Sequence, residues 1–295
     1  MARVSPEPAV RFASVDDVLE RLSGVGYLPS EAIATATFLG DRLGKPLLVE
    51  GPAGVGKTEL AKAVAAATGA RLVRLQCYEG VDEARALYEW NHAKQLLRIT
   101  AERDAGATWD ALRHDIFTDE FLLPRPLLTA IRSPDPVVLL IDELDKADVE
   151  IEGLLLEVLS DFQVTVPELG TLSAVHRPFV VVTSNATRDL SEALRRRCLF
   201  LHIDYPDPEL EQRIVSLRAP GIDEALARSV VRLAQRLREL RLRKAPSVAE
   251  TVDWAHTLIA LGAEDLTEAV VRDNLGVLLK HQDDIDRASA ALDLS

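Results

Sequence analysis

Apolar residues fall along this chain in two rhythms. After Pro46, Leu47-Leu48-Val49 make a short unbroken apolar run that ends at Glu50-Gly51. Such a run fits a strand buried on both faces of a parallel sheet. From Thr58 to Thr68 the apolar positions Leu60, Ala61, Val64 and Ala65 follow helical spacing, and Gly69 fits the C-terminal stop. Arg71 to Gln76 then sets Leu72, Val73 and Leu75 among polar residues, as a strand does. Strand, Gly-rich turn, helix and strand in that order predict a βαβ opening.

The next buried strand is predicted at Val137 to Ile141. The chain before it is far longer than the dozen or so residues a βαβ crossover needs, so an insert is expected there. Within it, Val81 to Thr100 is predicted helical from Leu87, Trp90, Leu96, Leu97 and Ile99, and Ala101 to Thr118 is more polar. Pro124 and Pro126 break the pattern before a short helix through Leu127, Leu128 and Ile131. A Leu-rich helix follows from Val149 to Ser160. Gln163–Val166 and Thr171–Ala174, joined through Pro167 to Gly170, predict a hairpin. Phe179–Thr183 and Leu199–Ile203 are the last strands.

At Asp204-Tyr205-Pro206-Asp207-Pro208 two prolines among acids predict a linker. Helical spacing then holds over 208–218, 223–241, 247–261, 265–275 and 277–291. The expected architecture is an α/β domain over 1–204, a parallel sheet between helices, and an all-helical domain over 205–295. No internal repeat or low-complexity tract is visible.

Composition narrows the function classes. The 295 residues are 47% hydrophobic and 27% charged, which suits an ordinary globular protein. Lys plus Arg total 34 against 47 Asp plus Glu, a net charge of −13. A duplex carries about one negative charge per 1.7 Å, so a nucleic-acid partner is disfavoured. Cys77 and Cys198 have no CxxC spacing and read as small buried hydrophobes in a reducing compartment. Met1 to Arg11 lacks the apolar stretch of a signal peptide. No apolar run approaches the roughly 20 residues of a membrane helix, so a cytoplasmic location is expected.

The chemistry concentrates at two motifs. Gly51-Pro52-Ala53-Gly54-Val55-Gly56-Lys57-Thr58 satisfies GxxxxGK[ST] between a predicted strand and a predicted helix. Glycines let the loop curl and bring backbone N–H groups onto phosphate oxygens. The helix start, with Glu59 in its first turn, aims its positive end at the same anion. Lys57 supplies a point charge near the β and γ phosphates, and the Thr58 hydroxyl is a ligand for Mg²⁺. Val137-Val138-Leu139-Leu140-Ile141-Asp142-Glu143 is a buried strand tipped by two carboxylates. Ligands of open α/β sheets sit beyond strand carboxyl ends, so Asp142 is placed to hold the Mg²⁺ shell. Glu143, facing another way, is free to act as general base on a water.

These residues resemble the AAA+ ATPases, and more closely their MoxR-like branch. Residues 51–61 resemble Walker A and 137–147 resemble Walker B. Thr183-Ser184-Asn185 is similar to sensor 1, which makes Asn185 the residue that orients the lytic water. Leu194-Arg195-Arg196-Arg197-Cys198 resembles the arginine-finger segment, with Arg197 the best match and Arg196 the alternative. The resemblance covers about residues 10–290.

It implies ATP bound between core and helical lid, a ring homo-oligomer, expected as a hexamer, and a finger acting in trans on the neighbour's phosphates. It also implies remodelling or maturation of a client or adaptor protein, commonly with a von Willebrand A-domain partner. The insert before Val137 and the 163–174 hairpin look like elements that face a ring pore. One departure stands out. Where relatives carry a sensor-2 arginine, Arg243-Lys244-Ala245-Pro246-Ser247 puts Ser247 in its place, and Arg243 or Lys244 is the substitute from one turn away.

Gln76, ending its strand, has two readings: a switch contact to Glu143 or an ordinary strand end. His176 and His202 read as structural. Two rival functions remain at this point. A DNA-directed module such as a clamp-loader or helicase-loader subunit would share the Arg197-Cys198 pair. A scaffold that binds ATP and barely turns it over would not need Glu143.

Overall fold

Five strands, all parallel, form the central sheet in the order β2-β5-β8-β1-β9. These are β1 (Leu47–Glu50), β2 (Arg71–Gln76), β5 (Val137–Asp142), β8 (Phe179–Ser184) and β9 (Leu199–His202). Every residue of β5 and β8 is buried, which is why both read as unbroken apolar runs. The computed structural model describes residues 10–103 and 115–293; residues 1–9, the polar stretch 104–114 and residues 294–295 lie outside it.

The chain divides into two compact units. The first comprises Met1–Glu50 and Thr58–His202, and it contains the sheet. Its helices include α1 (Val15–Gly24), α2 (Glu31–Leu43) and α3 (Lys57–Thr68, whose first residue belongs to the second unit). Both α1 and α2 start on a serine cap: Ser14 Oγ accepts from Asp17 N, and Ser30 Oγ accepts from Ile33 N. The core runs through Leu48, Val73, Leu139, Ile141, Val180 and Val182, with a buried Leu stripe on the helix that follows β5. Burying each such side chain contributes about 1.5–3 kcal/mol.

The insert differs from the continuous helix expected over 81–100. A short α4 (Glu83–Ala86) gives way to β3 (Tyr88–Trp90), and α5 (His92–Arg103) starts afresh. β3 pairs antiparallel with β4 (Leu122–Pro124), matching Trp90 to Leu122. Asn91 accepts from Lys94 N through its side chain and so restarts the helix. Edge-to-face packing of Trp90 on Tyr88 and Phe117 holds the small sheet. The remaining elements are α6 (Pro126–Arg132), α7 (Val149–Asp161), the hairpin β6 (Gln163–Val166) and β7 (Gly170–Ser173), and α8 (Glu192–Arg197).

The second unit comprises Gly51–Lys57 and Ile203–Ser295. It holds α9 (Pro208–Arg218), α10 (Glu224–Glu239), α11 (Val248–Ala260), α12 (Glu268–Leu278) and α13 (Gln282–Ala291). Leu226, Val230, Leu237, Trp254, Leu258, Leu275 and Leu278 form its core. No described helix is long and apolar enough to cross a membrane.

Candidate active site

β1 stops at Glu50 because the chain must curl. Gly51, Gly54 and Gly56 take φ of 152°, 73° and 99°, values that side-chain-bearing residues avoid. Pro52, Ala53 and Val55 lie between them, and α3 begins at Lys57. A curl of this kind followed by a helix start makes a concave, amide-lined anion nest. The Lys57 side chain is buried, and its ammonium donates to two carbonyls of its own loop, Gly51 O at 2.7 Å and Pro52 O at 2.6 Å. Neutral carbonyls are weaker partners for a full cation than phosphate oxygens are. Glu59, in the first turn of α3, pairs with Lys62 at 2.6 Å.

At the tip of β5 the two carboxylates diverge. Asp142 is buried. Its Oδ1 accepts from the Thr58 hydroxyl at 2.9 Å and the Thr183 hydroxyl at 2.6 Å, and its Oδ2 accepts from Arg74 Nη2 at 2.5 Å. Glu143 has left-handed backbone, φ 57°, and its N–H donates to Thr183 Oγ1 at 2.8 Å. That backbone turn, beyond simple strand alternation, sends Glu143 elsewhere. Its Oε2 accepts from Gln76 Nε2 at 2.9 Å and Lys146 Nζ at 2.8 Å. Gln76 thus makes the expected contact to Glu143.

Thr58 and Asp142 offer a hydroxyl and a carboxylate, the hard oxygen donors that Mg²⁺ takes, and their separation fits both to one ion. Beneath them Asp145 accepts from Asn185 N at 3.1 Å, Thr187 N at 3.1 Å and Thr187 Oγ1 at 2.6 Å. Burial works to raise this carboxyl, and the hydrogen bonds outweigh it, leaving it below its ordinary value. The Asn185 backbone is thereby fixed at the end of β8. Cys77 donates its N–H to the Asp142 carbonyl at 2.8 Å. Burial, then the nearby Asp142, pushes its thiol up to about 12, so it stays protonated and unreactive.

The three arginines of α8 have three different fates. Arg195 forms an ion pair with Glu50 at 2.6 Å and covers the Phe200 ring. Arg197 donates to Ser160 Oγ at 2.7 Å and to the Ala193 carbonyl at 3.1 Å. Arg196 projects outward with its side chain 82% exposed, 3.8 Å from Glu192. In the helical unit, the Arg243 and Lys244 N–H groups donate to Asp284 at 2.8 and 3.1 Å. Lys244 Nζ pairs with Glu250 at 2.9 Å, and Ser247 caps α11. His176 and His202 are exposed, and no group of three or more His, Cys, Asp or Glu suited to a metal occurs among the described residues.

Sequence reasoning missed Arg74, the Thr183 hydroxyl and the Glu50–Arg195 pair as site components. Arg74 was accessible to it: alternation puts Arg74 and Gln76 on one side of β2, and Gln76 is in register with Asp142. Thr183 stands in the Thr183-Ser184-Asn185 motif, where only Asn185 was given a role, and the Glu50–Arg195 pair bridges distant segments and leaves no local signal.

The family model described as AAA domain (dynein-related subfamily) matches residues 46–198. Protein CbbQ of Hydrogenophilus thermoluteolus is 26% identical over 204 residues, 66% of this chain and 66% of that protein. Protein NorQ of Paracoccus denitrificans is 26% identical over 203 residues, again 66% of each. Denitrification regulatory protein NirQ of Stutzerimonas stutzeri is 26% identical over 215 residues, 70% of this chain and 69% of that one. The chain therefore spans about two thirds of the length of these curated relatives. Among solved structures, the Thermotoga maritima RuvB Holliday junction branch migration motor is similar with a TM-score of 0.44 and 18% identity, covering 96% of this chain and 73% of that one.

Proposed function

The chain belongs to the AAA ATPases of the dynein-related subfamily, MoxR-like enzymes that hydrolyse ATP, and from that premise we propose that it spends ATP to remodel or activate a partner protein. One observation carries the reading: the Thr58 hydroxyl and the Asp142 carboxylate meet at 2.9 Å, directly after a loop of three positive-φ glycines. A phosphate-loop motif whose closing Thr58 hydroxyl meets the Asp142 carboxylate supports a nucleotide site rather than an ordinary turn.

In this proposal the amides of 51–58 cradle the phosphates, and Lys57 exchanges its loop carbonyls for β and γ oxygens. Thr58 and Asp142 would hold Mg²⁺, which would supply neutralising charge to the phosphates. Glu143 leaves Gln76 or Lys146 and takes a proton from the attacking water. Asn185, its backbone fixed by Asp145, orients that water. Arg197, or Arg196 in its stead, serves the neighbouring subunit's site in a hexameric ring. The division of labour falls near Asp204-Tyr205, with the helical domain following.

The partner is proposed to be a client or adaptor protein, of chaperone-like dependence and with a von Willebrand A domain. Similarity to NirQ, a denitrification regulatory protein, supports an activating role. The net charge of −13 supports a protein rather than a nucleic acid. Steady-state ATPase of wild type against Lys57→Ala and Glu143→Gln tests the reading; undiminished turnover in both variants sinks it. Affinity capture on Glu143→Gln with ATP should enrich a specific partner over Lys57→Ala, and equal recovery on both would remove the partner proposal.

A further inference from the structure

Two glycines of the phosphate loop lie against other chain of their own unit. A Cβ on Gly51 would sit 1.9 Å from the Ile203 carbonyl oxygen. A Cβ on Gly54 would sit 2.4 Å from Ser247 Oγ and 2.5 Å from Ser247 Cβ. The N–H of Ala249, in the first turn of α11, donates to the Gly54 carbonyl at 3.3 Å. A first-turn N–H has no partner inside its own helix, so this bond costs α11 nothing.

The turn that makes this contact is fixed on every side. Ser247 Oγ accepts from Glu250 N at 3.3 Å, and Glu250 Oε2 accepts from Ser247 N at 2.7 Å and from the Ser247 hydroxyl at 2.5 Å. Arg238 Nε donates to the Pro246 carbonyl at 2.8 Å. Arg238 also forks onto the buried Glu211 with both contacts at 2.6 Å, and its guanidinium covers the Tyr205 ring at 4.4 Å. Such a bidentate buried pair holds its geometry tightly.

A trans peptide is planar, with its C=O and N–H pointing opposite ways. Holding the Gly54 carbonyl toward Ala249 therefore turns the Val55 N–H away from α11. We infer that Ser247 is a positioning residue for the nucleotide: it seats the α11 N-terminus on Gly54, and that bond aims the Val55 amide as a phosphate donor. The positive end of α11 adds to the field of the loop. The inference rests on the proposal that residues 51–58 bind ATP.

Asn and Asp cap helices as well as Ser, so Ser247→Asn and Ser247→Asp both preserve the cap, and only Asp sets a negative charge against the loop. Affinity for a slowly hydrolysed ATP analogue with Mg²⁺ is measured by calorimetry, alongside the melting temperature without nucleotide. Ser247→Asp should weaken binding about tenfold or more by charge repulsion. Ser247→Asn should stay within about threefold of wild type. Ala249→Pro, tolerated in a first helical turn, deletes the donated N–H and should weaken binding about threefold or more without added charge. It keeps the inference testable if Ser247→Asp melts early. Binding of the analogue by Ser247→Asp or Ala249→Pro as tightly as by Ser247→Asn overturns the inference alone. Failure of the wild type itself to bind overturns the ATP reading with it.

Discussion

The tip of β5 and the phosphate loop solve opposite problems. At the tip, Asp142 has its partners in place: two hydroxyls and a guanidinium, all within 2.9 Å. In the loop, Lys57 is satisfied by carbonyls of its own backbone. One region is a finished acidic surface held by side chains from three strands and a helix. The other is main chain folded on itself, shaped by glycines, holding its cation in bonds that a stronger anion can replace. The difference teaches that preorganisation here lies on the acid side, and that exchange of partners lies on the loop side.

The contrast is broken most severely by removing its two charges. Lys57→Ala should lower ATPase activity about a hundredfold or more and weaken ATP binding in parallel, because the loop loses the one charged side chain proposed to meet the phosphates. Glu143→Gln should lower turnover about as far while leaving ATP affinity near wild type, because the tip keeps Asp142 and loses only the proposed base. Equal binding defects in the two variants, measured by calorimetry, would erase the distinction between the regions.

Next in size is Gly51→Ala. Its Cβ would meet the Ile203 carbonyl at 1.9 Å, a backbone atom that cannot step aside, and φ of 152° is strained for alanine. A loss of about 2–4 kcal/mol in denaturant unfolding is expected. On the acid side, Thr183→Val leaves one hydroxyl on Asp142 Oδ1 and an unpaired Glu143 N–H. It should cost about 1–3 kcal/mol and reduce turnover more than ATP affinity. Should Thr183→Val prove the costlier of the two, the ranking of loop over tip is reversed.

The smallest effect sharpens the comparison through pH. Asp145 sits below its ordinary 3.8 when folded, so it binds its proton more readily unfolded. The stability it lends is present above that value and is lost as pH falls through the lower folded value. Wild type should thus lose stability more steeply than Asp145→Asn below about pH 4. Parallel acid-unfolding curves would show that the tether on Asn185 carries no charge dependence.

Legibility in the sequence followed the reach of each interaction. β1, β5 and β8 were visible because strands buried on both faces are apolar throughout. Both motifs were visible because spacing alone defines them. The insert was misread over 81–100 because its helical spacing is overruled by pairing of Trp90 with Leu122, a distant partner. The helices α1 and α2 went unread although Val15, Val18, Leu19 and Leu22 carry the helical spacing plainly. The strand order and the approach of Ser247 to Gly54 depend on the folded chain and left no trace in any local window.

The left-handed backbone at Glu143 has an evolutionary corollary. A side chain in that conformation costs about 1 kcal/mol that glycine would recover. Selection of this protein for heat resistance alone should therefore drift toward glycine at position 143, yielding a sturdier chain that lacks the proposed base. On the role proposed for Glu143, retention of a glutamate there trades durability for work.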